Sequence, residues 1–287
     1  MITIRDVRTI PGDSGFLIDD GKTSILYDSG FAFTGYSLAD NVKKALGERK
    51  LDYIFLTHSH YDHVLGACYV MKYYPEAKVV AGEYAKRIFE KPSARAVMRE
   101  LDRKFADKCG VGDYEDLIDS LRVDIPVLDG DIIKAGSMEF LAIALPGHTK
   151  CSYGFYLESE KLLLSSETLG VYVGERSIIP SFLIGYKTAL DSINRALELD
   201  VERILIPHFG AVDGETLEYY LSNIRKSTVD TCRELASILK SGGTKEDALQ
   251  FFKDKFYHGK VVEAYPIDAM ELNTGIMIDL IKKELLS

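Results

Sequence analysis

Apolar positions in the first part of the chain come in short runs, not long stripes. "TIRDV", "GFLIDD" and "TSILYDSG" are rich in branched and aromatic side chains and are punctuated by Gly, Asp and Ser. That pattern predicts short strands. The period then changes. In "SLADNVKKALGERK", Leu38, Val42, Ala45 and Leu46 share one helical face, and Ser37 is the expected N-cap. "LDYIFLTHSH" is almost continuously apolar up to its histidines, which predicts a strand buried on both faces. A helix through "VLGACYVMKYY" and a second buried strand, "AKVVAG", follow.

Residues 83–121 read as a helical insert, interrupted at Pro92 and at "CGVGD". Strands resume with "VDIPVLDG", "DIIKAG", "MEFLAIALPG", "SYGFYLES" and "KLLLSSETLG". A helix, "TALDSINRALELD", and a strand, "RILIPHFG", come next. From there the pattern is helical to the end, with Thr244 and Asp247 placed as a capping pair. No internal repeat is visible. The order implies an α/β domain over residues 1–212 and a helical C-terminal extension over 213–287.

Composition narrows the function classes. At 287 residues the chain can bury a substantial core. Its formal net charge of -9, with no basic run, disfavours nucleic-acid partners and leaves a small molecule as the expected substrate. The opening "MITIRDVRTIPGDSG" lacks a basic segment followed by an apolar one, and no stretch approaches the roughly 18 apolar residues that span a bilayer. The expectation is a cytoplasmic protein with no membrane association. Cys68, Cys109, Cys151 and Cys232 are scattered without CxxC spacing, so four free thiols are expected.

The chemistry concentrates in "FLTHSHYDHVLG", which holds three of the six histidines. If the backbone stays extended, His58 and His60 point the same way. Asp62 and His63 follow where the chain has begun to turn, so the stretch offers two neighbouring pockets. His148 follows the Pro146-Gly147 turn after a strand, and His208 stands at another strand end. His258 is expected on a C-terminal helix, with no special role. Imidazoles joined by carboxylates suit zinc, iron or manganese.

With these residues in view, the chain resembles the metallo-β-lactamase-fold hydrolases. His58-Ser59-His60-Tyr61-Asp62-His63 is similar to their HxHxDH signature. "LYDSG", "LPGHTKCS", "LLLSSETLG" and "LIPHFG" are similar to later segments in the same order. The resemblance implies a four-layer αββα sandwich and two divalent metal ions, with zinc slightly favoured. It implies that His58, His60 and His148 bind one ion, that Asp62, His63 and His208 bind the other, and that Glu167 bridges them. Two positions depart from the pattern. The bridging residue is usually aspartate, and Glu167 is one methylene longer. An ungapped match puts Phe209 where the last histidine usually stands, and His208 is taken as the ligand. Asp28 and Thr57 are expected to hold ligand rings by hydrogen bonds.

The implied reaction is hydrolysis of a small ester, thioester or lactone by a metal-bound hydroxide, with Asp62 orienting it or accepting its proton. A thiolate leaving group needs little protonation, which suits a site with no separate general acid. The insert and the closing helices are similar in layout to those of glyoxalase-II-like and quinolone-signal thioesterase-like proteins, where such extensions pack near the site mouth. Tyr172, Phe182 and Tyr186 are candidates to line an apolar pocket. A phosphodiesterase of the same fold and a weakly active metal-binding regulator are the alternatives. A homodimer is left open.

Overall fold

The computed structural model describes residues 2–287, and the chain divides into two compact units. Unit 1 comprises residues up to Ala144 together with Tyr153–Glu160; unit 2 comprises Leu145–Ser152 and Lys161–Ser287.

In unit 1, β1 (Thr3–Asp6), β2 (Phe16–Asp19) and β3 (Ser24–Tyr27) pair antiparallel. The chain then crosses through α1 (Gly35–Leu46) to β4 (Tyr53–Phe55), which lies parallel to β3. α2 (Tyr61–Val64) and α3 (Ala67–Tyr73) lead to β5 (Lys78–Gly82), parallel to β4. The insert supplies α4 (Glu83–Phe89) and α5 (Pro92–Lys108) before β6 (Ile125–Val127) pairs parallel with β5. β7 (Ile132–Ala135), β8 (Met138–Ala144) and β9 (Tyr153–Leu157) form an antiparallel meander. The first sheet packs on this meander through aromatic contacts. The Phe55 ring centroid lies 5.2 Å from that of Phe140 and 4.8 Å from that of Phe155. β2 and β3 are buried at every position, as their continuous apolar runs require, whereas β7 alternates exposed and buried.

Unit 2 pairs β10 (Leu162–Leu164) parallel with β13 (Arg203–Ile206), which is antiparallel to β14 (Gly210–Asp213). Between them lie a hairpin, β11 (Val171–Gly174) with β12 (Ser177–Ile179), and α6 (Tyr186–Leu197). The helical end of the chain is α7 (Gly214–Lys240), α8 (Lys245–Phe256), α9 (Val261–Ala264) and α10 (Ile267–Ile281), closed by a π-helical turn. Its core contains Phe182, Tyr186, Cys232, Leu235, Phe252, Met277 and Ile278. The Thr244 hydroxyl accepts from the Asp247 amide and the Asp247 carboxylate accepts from the Thr244 amide, the reciprocal cap expected at the start of α8. No helix among the described residues is long and apolar enough to cross a membrane. All four cysteines are free thiols.

Several local expectations need correction. α1 starts before Ser37, and its N-cap position is Thr34, because Gly35 sits against the Tyr69 ring, where a Cβ would come within 2.3 Å of the nearest ring carbon. The helix expected through "VLGACYVMKYY" is two helices. The first begins at Tyr61, so Asp62 and His63 are helical residues. His258 lies in the turn after α8, exposed, with its Nε2 3.2 Å from the Lys255 carbonyl. β11, β12, β14 and α9 were not legible as elements.

Candidate metal centre

The structure carries seven metal-ligating side chains of the expected kinds: His58, His60, Asp62, His63, His148, Glu167 and His208. His58, His60, Asp62 and His63 lie in unit 1; His148, Glu167 and His208 lie in unit 2.

In unit 1 the strand ends at Phe55, and the chain leaves the sheet through Thr57 and His58 before α2 begins at Tyr61. His60 is extended at the N-cap of α2, with φ -75° and ψ 147°. The ring centroids of His58 and His60 are 4.6 Å apart, and those of His58 and His63 are 4.1 Å apart. α2 is fastened to the end of β3. The Ser29 amide donates to the His63 carbonyl at 2.7 Å, and the Ser29 hydroxyl donates to the same carbonyl at 2.9 Å. Gly66, which separates α2 from α3, has no alternative. A Cβ there would come within 1.8 Å of the Ser29 carbonyl oxygen.

Asp28 organises this half of the site. It is fully buried and has a positive φ of 51°, which turns its carboxylate back toward β4. One oxygen accepts from the Thr57 amide at 2.8 Å, and the Thr57 hydroxyl also donates to the carboxylate, at 3.0 Å. The other oxygen lies 2.8 Å from His63 Nδ1. A carboxylate only accepts, so His63 Nδ1 carries the proton and Nε2 holds the lone pair. Thr57 has spent its single hydroxyl proton on Asp28. Its oxygen therefore accepts from His58 Nδ1, 3.0 Å away, and His58 Nε2 also holds a lone pair. Both rings are thus set in the tautomer that a metal ligand needs.

In unit 2, His148 is presented by the loop between Leu145 and Ser152. The His148 amide donates to the Thr168 hydroxyl at 3.1 Å, and that hydroxyl donates to the Leu145 carbonyl at 2.7 Å. Gly147 has φ 152°, and a Cβ there would meet Thr168 and Ala189 at 2.6–2.8 Å. His148 Nδ1 lies 2.7 Å from the Ser181 hydroxyl. Sequence reasoning missed Ser181. Its only signal is a lone hydroxyl in the apolar run "IIPSFLI".

Glu167 opens a short 3-10 turn after β10. One of its oxygens is 2.6 Å from His148 Nε2, and the other is 3.2 Å from His208 Nε2. Burial works against a charge on Glu167. The neighbouring His148 charge and the hydrogen bonds from His148 and His208 outweigh it, holding the carboxyl well below the usual carboxylate range. The β13–β14 turn presents His208. The Phe209 amide donates to the Ile206 carbonyl at 3.2 Å, so Pro207 and His208 are its two corner residues. His208 has φ 64°, the second-corner conformation of a type II turn, which usually requires glycine. Phe209 turns its ring to Tyr172, with centroids 4.7 Å apart. Of the other proposed pocket residues, Phe182 and Tyr186 stack on each other at 5.6 Å within the unit 2 core.

The donor set suits a divalent metal. Five imidazoles and two carboxylates are the ligands of zinc, iron and manganese, and three of the rings have Nδ1 engaged by a hydroxyl or carboxylate. Ligand bonds of about 2.0–2.2 Å place neighbouring donors about 3.3 Å apart on a tetrahedral ion, and the Glu167–His208 separation matches that edge.

Comparison with known proteins identifies the family. A family model described as Metallo-beta-lactamase superfamily matches residues 11–208. The metallo-beta-lactamase fold-containing protein ST1585 of Sulfurisphaera tokodaii is 25% identical over 178 residues, covering 61% of this chain and 67% of its own length. The acyl-coenzyme A thioesterase MBLAC2 of Gallus gallus is 26% identical over 197 residues, covering 63% of this chain and 68% of its own. The crystal structure of TTHA1429, a metallo-beta-lactamase family protein from Thermus thermophilus, superposes with a TM-score of 0.64 at 18% identity, over 99% of this chain and 93% of that one. The chain belongs to the metallo-β-lactamase superfamily.

Proposed function

We propose that this protein is a dinuclear metal-dependent hydrolase that cleaves a small thioester. In this reading His58, His60 and His148 hold one divalent ion, Asp62, His63 and His208 hold the other, and Glu167 joins them. The observation that carries it is the pair of contacts at Glu167. Its two carboxylate oxygens face two different histidines, one expected on each ion. Glutamate's extra methylene, the departure noted in the sequence, still lets each oxygen reach one ring.

Two such ions, when bound, bring the pKa of a coordinated water toward 7 and polarise the scissile carbonyl. The chain's own residues do the rest. Asp28, Thr57 and Ser181 hold the ligand rings in orientation. Asp62, half-buried on α2, would orient the attacking water or take its proton. Zinc is slightly favoured over iron and manganese, since nitrogen and carboxylate donors accept all three.

Three considerations support a thioester. A thiolate leaves without a strong general acid, and no separate acid stands out beside the ligands. One relative carries the name acyl-coenzyme A thioesterase. The net charge of -9 favours a small molecule over a nucleic acid, and a cytoplasmic protein with free thiols fits the same picture.

The test is metal content by elemental analysis, combined with turnover of a thioester, a lactone and bis-nitrophenyl phosphate. Two ions per chain and preferential thioester cleavage are expected. Glu167→Gln should lower the metal content toward one and reduce turnover at least tenfold. Preferential phosphodiester cleavage would replace the reading with the phosphodiesterase one. Full metal loading with no turnover of any of the three would replace it with a regulator.

A further inference from the structure

The insert helix α5 does more than extend unit 1. It completes a cluster of five aromatic rings beside α2, the helix that carries Asp62 and His63. Phe31 is buried at the centre. Its centroid lies 5.8 Å from Tyr61, 5.1 Å from Phe33 and 4.9 Å from Phe105. Phe33 meets Phe105 edge-on at 5.8 Å and Tyr114 at 6.4 Å. Phe33, Tyr61, Phe105 and Tyr114 are only half-buried, so the cluster shows ring surface to the outside. Tyr61 is the chain neighbour of both His60 and Asp62.

The rings are fixed by a buried carboxylate. Asp102 on α5 is fully buried and accepts from the Ala32 amide at 2.8 Å and from the Tyr114 hydroxyl. Burying a carboxylate is costly, and an apolar residue would pack this position without that cost. What the carboxylate adds is direction. It ties the loop carrying Phe31 and Phe33 and the segment carrying Tyr114 to one point on the insert, one turn from Phe105.

We infer that Phe33, Tyr61 and Phe105 form the surface that receives the apolar acyl group of the thioester, with Asp102 as its positioning residue. The inference rests on the thioesterase reading. Phe33 and Phe105 touch edge-on, and Tyr61 joins them through the buried Phe31, so three partly exposed rings share one packed base. Small-ligand sites are lined mainly by such apolar and aromatic side chains. This patch is joined by Tyr61 directly to the segment that supplies the metal ligands. Its rings carry no formal charge, which suits a hydrocarbon chain and not a polar head.

The experiment compares S-acetyl and S-octanoyl N-acetylcysteamine as substrates of wild type, Phe33→Ala and Phe105→Ala. The ratio of the two kcat/KM values on one variant cancels any loss of folded protein. The octanoyl-to-acetyl ratio should fall about tenfold in each variant, the scale for losing contacts worth one or two methylenes in an apolar pocket. Octanoate binding by calorimetry, which needs no turnover, should weaken by a similar factor. An unchanged ratio with unchanged octanoate affinity overturns the inference: the rings then serve only to pack the insert. If wild type cleaves neither thioester, the thioesterase reading fails. A tenfold loss of octanoate affinity in the variants would in that case still support the aromatic surface as an apolar-group site.

Discussion

Replacing Asp28 with asparagine changes one atom of the side chain and should mis-set one of the two histidine rings that it orients, His63 directly or His58 through Thr57. The carboxylate now accepts from the Thr57 amide, the Thr57 hydroxyl and His63 Nδ1. An amide has one accepting oxygen and one donating nitrogen. If the nitrogen faces His63, Nδ1 must accept, the ring proton moves to Nε2, and the lone pair that would bind metal is gone. If it faces Thr57, it opposes the amide and hydroxyl donors there, and the His58 ring loses the relay that sets its tautomer. Either way one ring is mis-set. Loss of such a ligand-orienting partner costs about 10–100-fold in metal affinity, or about 1.4–2.7 kcal/mol. The backbone should not confound the result, because asparagine tolerates the positive φ that Asp28 adopts. The assay is competition for zinc against a chromophoric chelator, paired with long-range 1H–15N spectra of the metal-free protein, which report the protonated nitrogen of each ring. Thr57→Val is the companion variant. It should alter the His58 tautomer and leave His63 with its Asp28 contact. Asp28→Asn with wild-type affinity and wild-type tautomers at both rings would refute the relay.

Two further expectations concern single groups. Ser181→Ala removes the partner 2.7 Å from His148 Nδ1 and should weaken metal binding about tenfold, with the His63 tautomer unchanged in the same spectra. Asp102 offers a pH test on metal-free protein. Burial, only partly offset by the hydrogen bonds from Tyr114, Ala32 and Phe33, raises its pKa from 3.8 to about 6. A carboxyl with a raised folded-state pKa takes up its proton in the folded protein first, so its burial penalty is complete above pH 6 and absent below the unfolded value. Relative to Asp102→Asn, wild-type stability by urea unfolding should therefore rise by about 2–3 kcal/mol between pH 7 and pH 4, and a flat difference would refute it.

What could be read from the sequence was local. Candidate donors crowd into "HSHYDH", and the segments around His148, Glu167 and His208 follow in a recognisable order, so the seven side chains that cluster in the structure, and the contacts of Asp28 and Thr57 with their rings, could be anticipated. Ser181 could not, because its partner is 33 residues away and no pattern joins a hydroxyl in an apolar run to that ring. The β11–β12 hairpin was hidden for a different reason. Its turn residues, Glu175 and Arg176, have φ of 49° and 57°, and such turns announce themselves only when Asn or Gly occupies them. His208 falls in the same class, since nothing in "LIPHFG" signals a left-handed second corner.

Left-handed backbone at a residue other than glycine is not by itself a functional mark, as Lys161, Glu175 and Arg176 show. Asp28 and His208 differ in what glycine would forfeit there. At Glu175 glycine would make the same turn. At Asp28 it would remove the carboxylate that sets His63 and, through Thr57, His58; at His208 it would remove the ring that faces Glu167. Conformational strain of order 1 kcal/mol is tolerated at these two positions because the side chain does work that the relaxed residue could not. The departure in "LIPHFG" thus has a structural reason. Shifting the histidine to the second corner of the turn lets a left-handed backbone aim it at Glu167, leaving Phe209 free to stack on Tyr172.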